Sequence, residues 1–299
     1  MPITRSIIDP QALQRAVPVS DVRRYWQAHP LLSYEGDTSE TADFFLMLDD
    51  AKRQDSETFA FPYWAFDQWA GRDVLDIGCG PGWVSVQYAD GDARVTSVDL
   101  TDTAIGLAKK HLALKDVSAK IGVASAENLP FPSNCFDLVV ASGVLHHTPD
   151  CQKAITEAFR VTRPGGAGKI TLYRKGILHH PLVFSVMLIV MRLLGVRHPG
   201  ADLAKTSRTV DDFIRRYDGD DNPVGIGKSD ADWVKDLTAA GWQVLGLEIH
   251  FFPLRFTPFP VVVRKIIHRF FDRYFGTMAY FRLRKPDTKS ETDQPPKKL

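Results

Sequence analysis

The stretch Asp73-Val74-Leu75-Asp76-Ile77-Gly78-Cys79-Gly80-Pro81-Gly82 reads as a short apolar strand that ends near an acid and turns at three alternating glycines. Residues without a Cβ at Gly78, Gly80 and Gly82 let backbone approach a ligand where a strand passes into a helix. A dinucleotide site requires G-x-G-x-x-G, so that a pyrophosphate meets the helix N-terminus, but here the third position is Trp83. The pattern that remains, D-x-G-x-G-x-G, suits a nucleoside that carries an amino acid and no phosphate, with Asp76 near a cationic ammonium.

Outward from this turn, short β-branched runs alternate with helical stretches, the pattern of a parallel sheet covered on both faces. Strands are expected over 73–77, 94–98, 119–123, 136–141 and 167–173, with helices over 82–89, 102–114 and 150–162 between them. After Tyr173 the alternation lapses through an insertion, 176–229, which holds the apolar run Leu182–Met191 and the loop Asp218-Gly219-Asp220-Asp221-Asn222-Pro223. It resumes with a helix over 230–240 and strands over 242–250 and 278–284. The fold class is therefore α/β, a doubly wound, mostly parallel sheet of seven strands. Residues 1–70 read as a helical cap, with Ser20 capping a helix that stops at Pro30 and further helical patterns over 41–52 and 57–69. Residues 71–286 form the main domain, and the polar tail 287–299 buries too little to order itself.

With 44% hydrophobic and 24% charged residues, the chain can bury a core and is neither disordered nor fibrous. Its 37 basic and 36 acidic residues leave a net charge of +1, which provides no general field for nucleic acid, and no nucleic-acid partner is expected. Cys79, Cys135 and Cys151 show neither a disulfide framework nor metal-ligand spacing, and the histidines lack HxxxH spacing, so no metal is expected. The N-terminus lacks a signal-peptide pattern, and the apolar run is about half the ~20 residues needed to cross a bilayer. A cytoplasmic location, peripheral to a membrane at most, is the expectation.

Asp99 ends the second strand, where a carboxylate can accept two ribose hydroxyls or cap the next helix. These residues resemble the class I, Rossmann-like S-adenosylmethionine-dependent methyltransferases, in the branch of ubiquinone/menaquinone C-methyltransferases and related small-molecule enzymes. The resemblance covers residues 70–175 through VLDIGCGPG, VTSVDL, SAENLPFPSNCFDLV, ASGVLHHTPD and RVTRPGGAGKI. It implies an antiparallel last strand and S-adenosylmethionine as cofactor. Asp76, Gly78, Gly80 and Gly82 would hold the methionine portion, and Asp99 with Leu100 the ribose. Ser125, Ala126 and Glu127 would flank the adenine, with Ser142 and Val144 lining the pocket. At Ser125 the family usually has an acid, and a neutral hydroxyl accepts a weaker hydrogen bond.

Methyl transfer from a sulfonium needs alignment and, for oxygen or nitrogen acceptors, removal of a proton. His146, His147 and Tyr173 stand at the mouth of the sheet as the acceptor-side residues, His146 and His147 being bases or positioning groups. Tyr25, Trp26 and Tyr34 are expected to cover the acceptor or to pack on the sheet edge. The segment 259–275 forms a basic amphipathic helix, open to docking on its own domain, dimer contact or peripheral membrane contact. The chain would be a monomer or homodimer. The acceptor reads as small and largely apolar, a lipid, quinone-like ring or secondary metabolite. The alternatives are a non-catalytic binder of the cofactor and a methyltransferase acting on a macromolecule.

Overall fold

A computed structural model describes residues 14–30, 42–50, 52–53, 59–180, 182–183, 185–186, 189, 209–251 and 270–287. The aliphatic run 73–77 forms β1 (Asp73–Ile77), and its alternate side chains go to opposite faces, Val74 to one apolar layer and Leu75 and Ile77 to the other. Beside it lie β2 (Arg94–Asp99), β3 (Lys120–Val123), β4 (Phe136–Ala141) and β5 (Thr162–Tyr173), with β6 (Gln243–His250) and β7 (Met278–Arg284) completing seven described strands. Their order is β3-β2-β1-β4-β5-β7-β6. The first five strands pair in parallel, and β7 enters antiparallel between β5 and β6, as expected. The order reverses between β1 and β4, so a crevice opens at their C-terminal ends.

Helices α1 (Val19–Ala28), α2 (Ala42–Asp50) and α3 (Ala60–Trp64) precede the sheet. Pro18 rather than Ser20 occupies the cap position of α1, because proline's fixed φ suits a helix start. Around the sheet lie α4 (Trp83–Asp90), α5 (Asp102–Leu114), α6 (Cys151–Val161), α7 (Val210–Arg215) and α8 (Asp230–Ala239). α6 and α8 cover one face and α3 and α4 the other. Strand β5 starts five residues earlier than expected, as Thr162 pairs with Phe136 before a bulge that runs through Gly165.

The apolar core crosses the line drawn at residue 70. Tyr63, Trp64 and Phe66 are buried with Val74, Tyr88 and Val140. From β5, Lys169 buries its ammonium and donates to the carbonyls of Tyr63 (2.8 Å) and Trp64 at the end of α3. Burial lowers its pKa to about 8. Tyr34, the tail from 288, most of the apolar run and residues 259–269 lie outside the described residues. Among the described residues no helix is long and apolar enough to cross a membrane, and no His/Cys/Asp/Glu cluster could hold a metal ion.

Candidate active site

A cavity of about 290 Å³ opens over the C-terminal ends of β1, β2, β4 and β5, at the reversal point of the sheet. One end is formed by local chain. Gly78, Gly80 and Gly82 all take positive φ, 67°, 51° and 80°, a region closed to most side chains. A Cβ on Gly78 would lie 2.9 Å from Val144 Cβ and closer still to both its methyls, so glycine here lets two loops interlock. At Gly80 a Cβ would meet nothing within 4 Å, because this backbone borders the open cavity. Gly82 does not line the cavity as expected. It faces Ala108 instead, 2.9 Å from where a Cβ would stand, and starts α4.

The two acids of this end differ. Asp76 is 1% exposed and accepts a 2.6 Å hydrogen bond from Ser85, itself 2.8 Å from Ser97, so it sits beneath the turn and not on the cavity wall. Burial pushes its pKa up to about 7 against the Ser85 bond. The bond the structure gives this carboxyl is internal, to Ser85. Asp99 does line the cavity. Oδ1 accepts from the amide (2.9 Å) and hydroxyl (3.0 Å) of Thr101, and Oδ2 accepts from the Gly80 amide at 3.0 Å. With three donors in place, Oδ2 retains a lone pair for one ligand hydroxyl rather than the two expected. Burial raises its pKa, with the Thr101 and Gly80 amides opposing. The helix-capping alternative goes to Thr101, whose hydroxyl accepts from Ala104.

Leu100, Ser125, Ala126, Glu127, Ser142 and Val144 all border the same cavity, as their motifs implied. The Ser125 hydroxyl accepts from the Glu127 amide (3.2 Å), and Glu127 accepts from the Asp150 amide (2.9 Å), which fixes this shelf. An open cradle beside Gly80, a carboxylate with a remaining lone pair and a shelf of short residues fit an adenosyl amino acid.

The residues from 75 to 168 match the family described as "Methyltransferase domain". That stretch is a class I, S-adenosylmethionine-dependent methyltransferase domain. Over 98 residues the domain is 38% identical to a ubiquinone biosynthesis O-methyltransferase of Aromatoleum aromaticum, 32% of this chain and 42% of that one. It is 38% identical over 100 residues to 27-O-demethylrifamycin SV methyltransferase of Amycolatopsis mediterranei, 32% of this chain and 37% of that one. The match thus spans under half the length of these relatives. Magnesium protoporphyrin IX methyltransferase from Synechocystis, solved with bound S-adenosylhomocysteine, superposes with a TM-score of 0.54 over 90% of this chain and 100% of that one at 15% identity, which establishes the fold.

The other end of the methyltransferase domain's cavity is assembled from distant chain. Trp26 lines it and meets the His147 ring edge-on at 5.0 Å. Tyr25 does not line it; its hydroxyl donates to the Asp218 carbonyl at 2.5 Å. His146, expected as a base or acceptor contact, is 0% exposed, packed 3.9 Å from the Tyr173 ring centroid, and among the described residues neither ring nitrogen has a hydrogen-bond partner. Burial, and after it the adjacent His147 ring, holds its pKa well below the usual histidine value, and the residue lines the cavity where it packs on Tyr173. His147 is also engaged, with Nδ1 2.8 Å from the Val224 carbonyl and Nε2 3.1 Å from Asp218 Oδ2. Tyr173 donates to the same Oδ2.

Sequence reading missed Asp218, Tyr217, Thr171 and Phe251, which also line this end. The Asp218 loop had stood out only as irregular chain in an insertion. The apolar run belongs to the insertion that also carries Asp218. None of its described residues lines the cavity, and Leu182, Val186 and Ile189 are exposed.

Proposed function

We propose that this protein is an S-adenosylmethionine-dependent methyltransferase acting on a small, largely apolar acceptor. The observation that carries the reading is the single cavity, with the glycine turn and Asp99 at one end and an aromatic wall of Trp26, Tyr173, Tyr217, Phe251 and Tyr280 at the other. Bound S-adenosylmethionine supplies an electrophilic methyl on sulfur. The chain's own work is then to hold the nucleoside at Asp99 and to seat an acceptor against the aromatic wall in line with that methyl. The named relatives act on a quinone precursor, a rifamycin and a porphyrin. All are small molecules with large apolar bodies, in keeping with a wall of this composition.

The test is calorimetry with S-adenosylhomocysteine, followed by incubation of the protein, methyl-labelled S-adenosylmethionine and a whole-cell extract. Binding, together with protein-dependent label in the solvent-extractable fraction, is expected. Absence of binding would remove the reading, and label confined to protein or nucleic acid would replace the acceptor class with a macromolecule.

A further inference from the structure

Asp218 shares its two carboxylate oxygens unequally. Oδ2 takes both protein donors, the Tyr173 hydroxyl and His147 Nε2. Among the described residues Oδ1 has no hydrogen-bond partner, although it is not sealed from solvent and its side chain lines the cavity at 19% exposure. Its place is rigid. Tyr25 holds the Asp218 carbonyl, His147 Nδ1 donates to the Val224 carbonyl at 2.8 Å, and the Ile226 amide donates 2.8 Å to the His146 carbonyl. Burial opposes ionisation of Asp218, but the His147 and Tyr173 contacts outweigh it and hold the carboxyl below the usual carboxylate range. An ionised oxygen with open lone pairs, set in an aromatic wall, calls for a donor from a ligand.

We infer that Asp218 Oδ1 binds the protic group of the methyl acceptor, so that the acceptor is an apolar molecule bearing an O–H or N–H at the atom to be methylated. The inference rests on the methyltransferase reading. With a hydroxyl acceptor, the oxygen–carbon bond forms as the sulfur–carbon bond breaks. The hydroxyl proton passes to Oδ1, and the sulfonium charge and the carboxylate charge are both neutralised. Even a weakly basic carboxylate is sufficient, because the oxygen becomes strongly acidic as it gains the methyl. Tyr173 and His147 are positioning residues, which keep Oδ2 occupied and Oδ1 turned to the cavity.

The probes are 2-naphthol and its methyl ether 2-methoxynaphthalene, titrated by fluorescence into the full chain saturated with S-adenosylhomocysteine. Wild type should prefer the naphthol by about tenfold or more, the range for a hydrogen bond to a charged group. Asp218→Asn should lose this preference while S-adenosylhomocysteine affinity stays within about twofold, since Asp218 stands at the far end of the cavity from Asp99. Tyr173→Phe removes one of the two contacts that orient the carboxylate and leaves the His147 contact and the Tyr25 bond to the Asp218 carbonyl, so it should weaken the preference without abolishing it. Equal binding of the two probes by wild type, no binding of either, or an unchanged preference in folded Asp218→Asn would each overturn the inference. Should Asp218→Asn fail to fold, the wild-type comparison decides alone. Failure to bind S-adenosylhomocysteine at all would instead indict the methyltransferase reading.

Discussion

The two ends of the cavity are made from different kinds of chain. The turn end comes from one unbroken strand–turn–helix and the tips of its neighbouring strands, almost all within the stretch that matches the family. The acceptor end brings Tyr25, His147, Tyr173 and Asp218 together across separations of up to 193 residues. The turn itself lies within the family match, whereas Tyr25, Tyr173 and Asp218 at the other end lie outside it. Changes at the turn should therefore act on the nucleoside alone, and changes at the loop on the acceptor alone.

The largest expected effect breaks the turn. Gly78→Val drives a β-branched residue into Val144 at a positive φ, with a combined cost of about 2 to 6 kcal/mol. S-adenosylhomocysteine binding by calorimetry should vanish in this variant. Unimpaired binding by folded Gly78→Val would mean that the Gly78–Val144 interlock does not shape the site.

Next comes the buried acid beneath that turn. The folded protein holds the Asp76 proton to about pH 7, whereas the unfolded chain releases it near 3.8. Its contribution to stability is therefore complete below 3.8 and is lost as pH rises to about 7, a change on the order of 4 kcal/mol. Urea unfolding at pH 5 and pH 8 should show a smaller difference for Asp76→Asn than for wild type. Matching differences would place the pH dependence elsewhere.

Asp99→Ala should weaken S-adenosylhomocysteine by about 1 to 3 kcal/mol, and Asp99→Asn by less. Neither should alter the naphthol preference, and a change in it would show that the two ends are coupled. The smallest effect sharpens the comparison. Ser125→Asp places a charged acceptor on the adenine shelf and should tighten the nucleoside by under about 1 kcal/mol, read as a few-fold shift in Kd.

What the sequence revealed follows the same division. The helix over 102–114 and the strand over 278–284 emerge from periodicity and turn chemistry, which are local. Asp99 was legible for the same reason, as it ends a strand, whereas Ser125–Glu127, Ser142 and the antiparallel sense of the last strand came from the family resemblance alone. Burial was not legible. Asp76 and Asp99 look alike in sequence, yet one is sunk under the turn and the other borders the cavity, because Asp76 is the penultimate residue of β1, where it meets Ser85, while Asp99 is the last of β2. His146 and His147 are low in exposure and yet both line the cavity, which their sequence does not reveal. Asp218 carried no local signal, since its meaning depends on Tyr173 and Tyr25, which only the folded chain brings to it.

The ammonium of Lys169 bears on how far the chain can be shortened. Its two carbonyl partners belong to α3, upstream of the first strand and of the family match at 75. A fragment begun at residue 71 would hold the whole sheet but strip Tyr63, Trp64 and Phe66 from the apolar layer they share with Val74, Tyr88 and Val140, and leave the Lys169 ammonium to water. It is therefore expected to unfold at lower urea than the full chain.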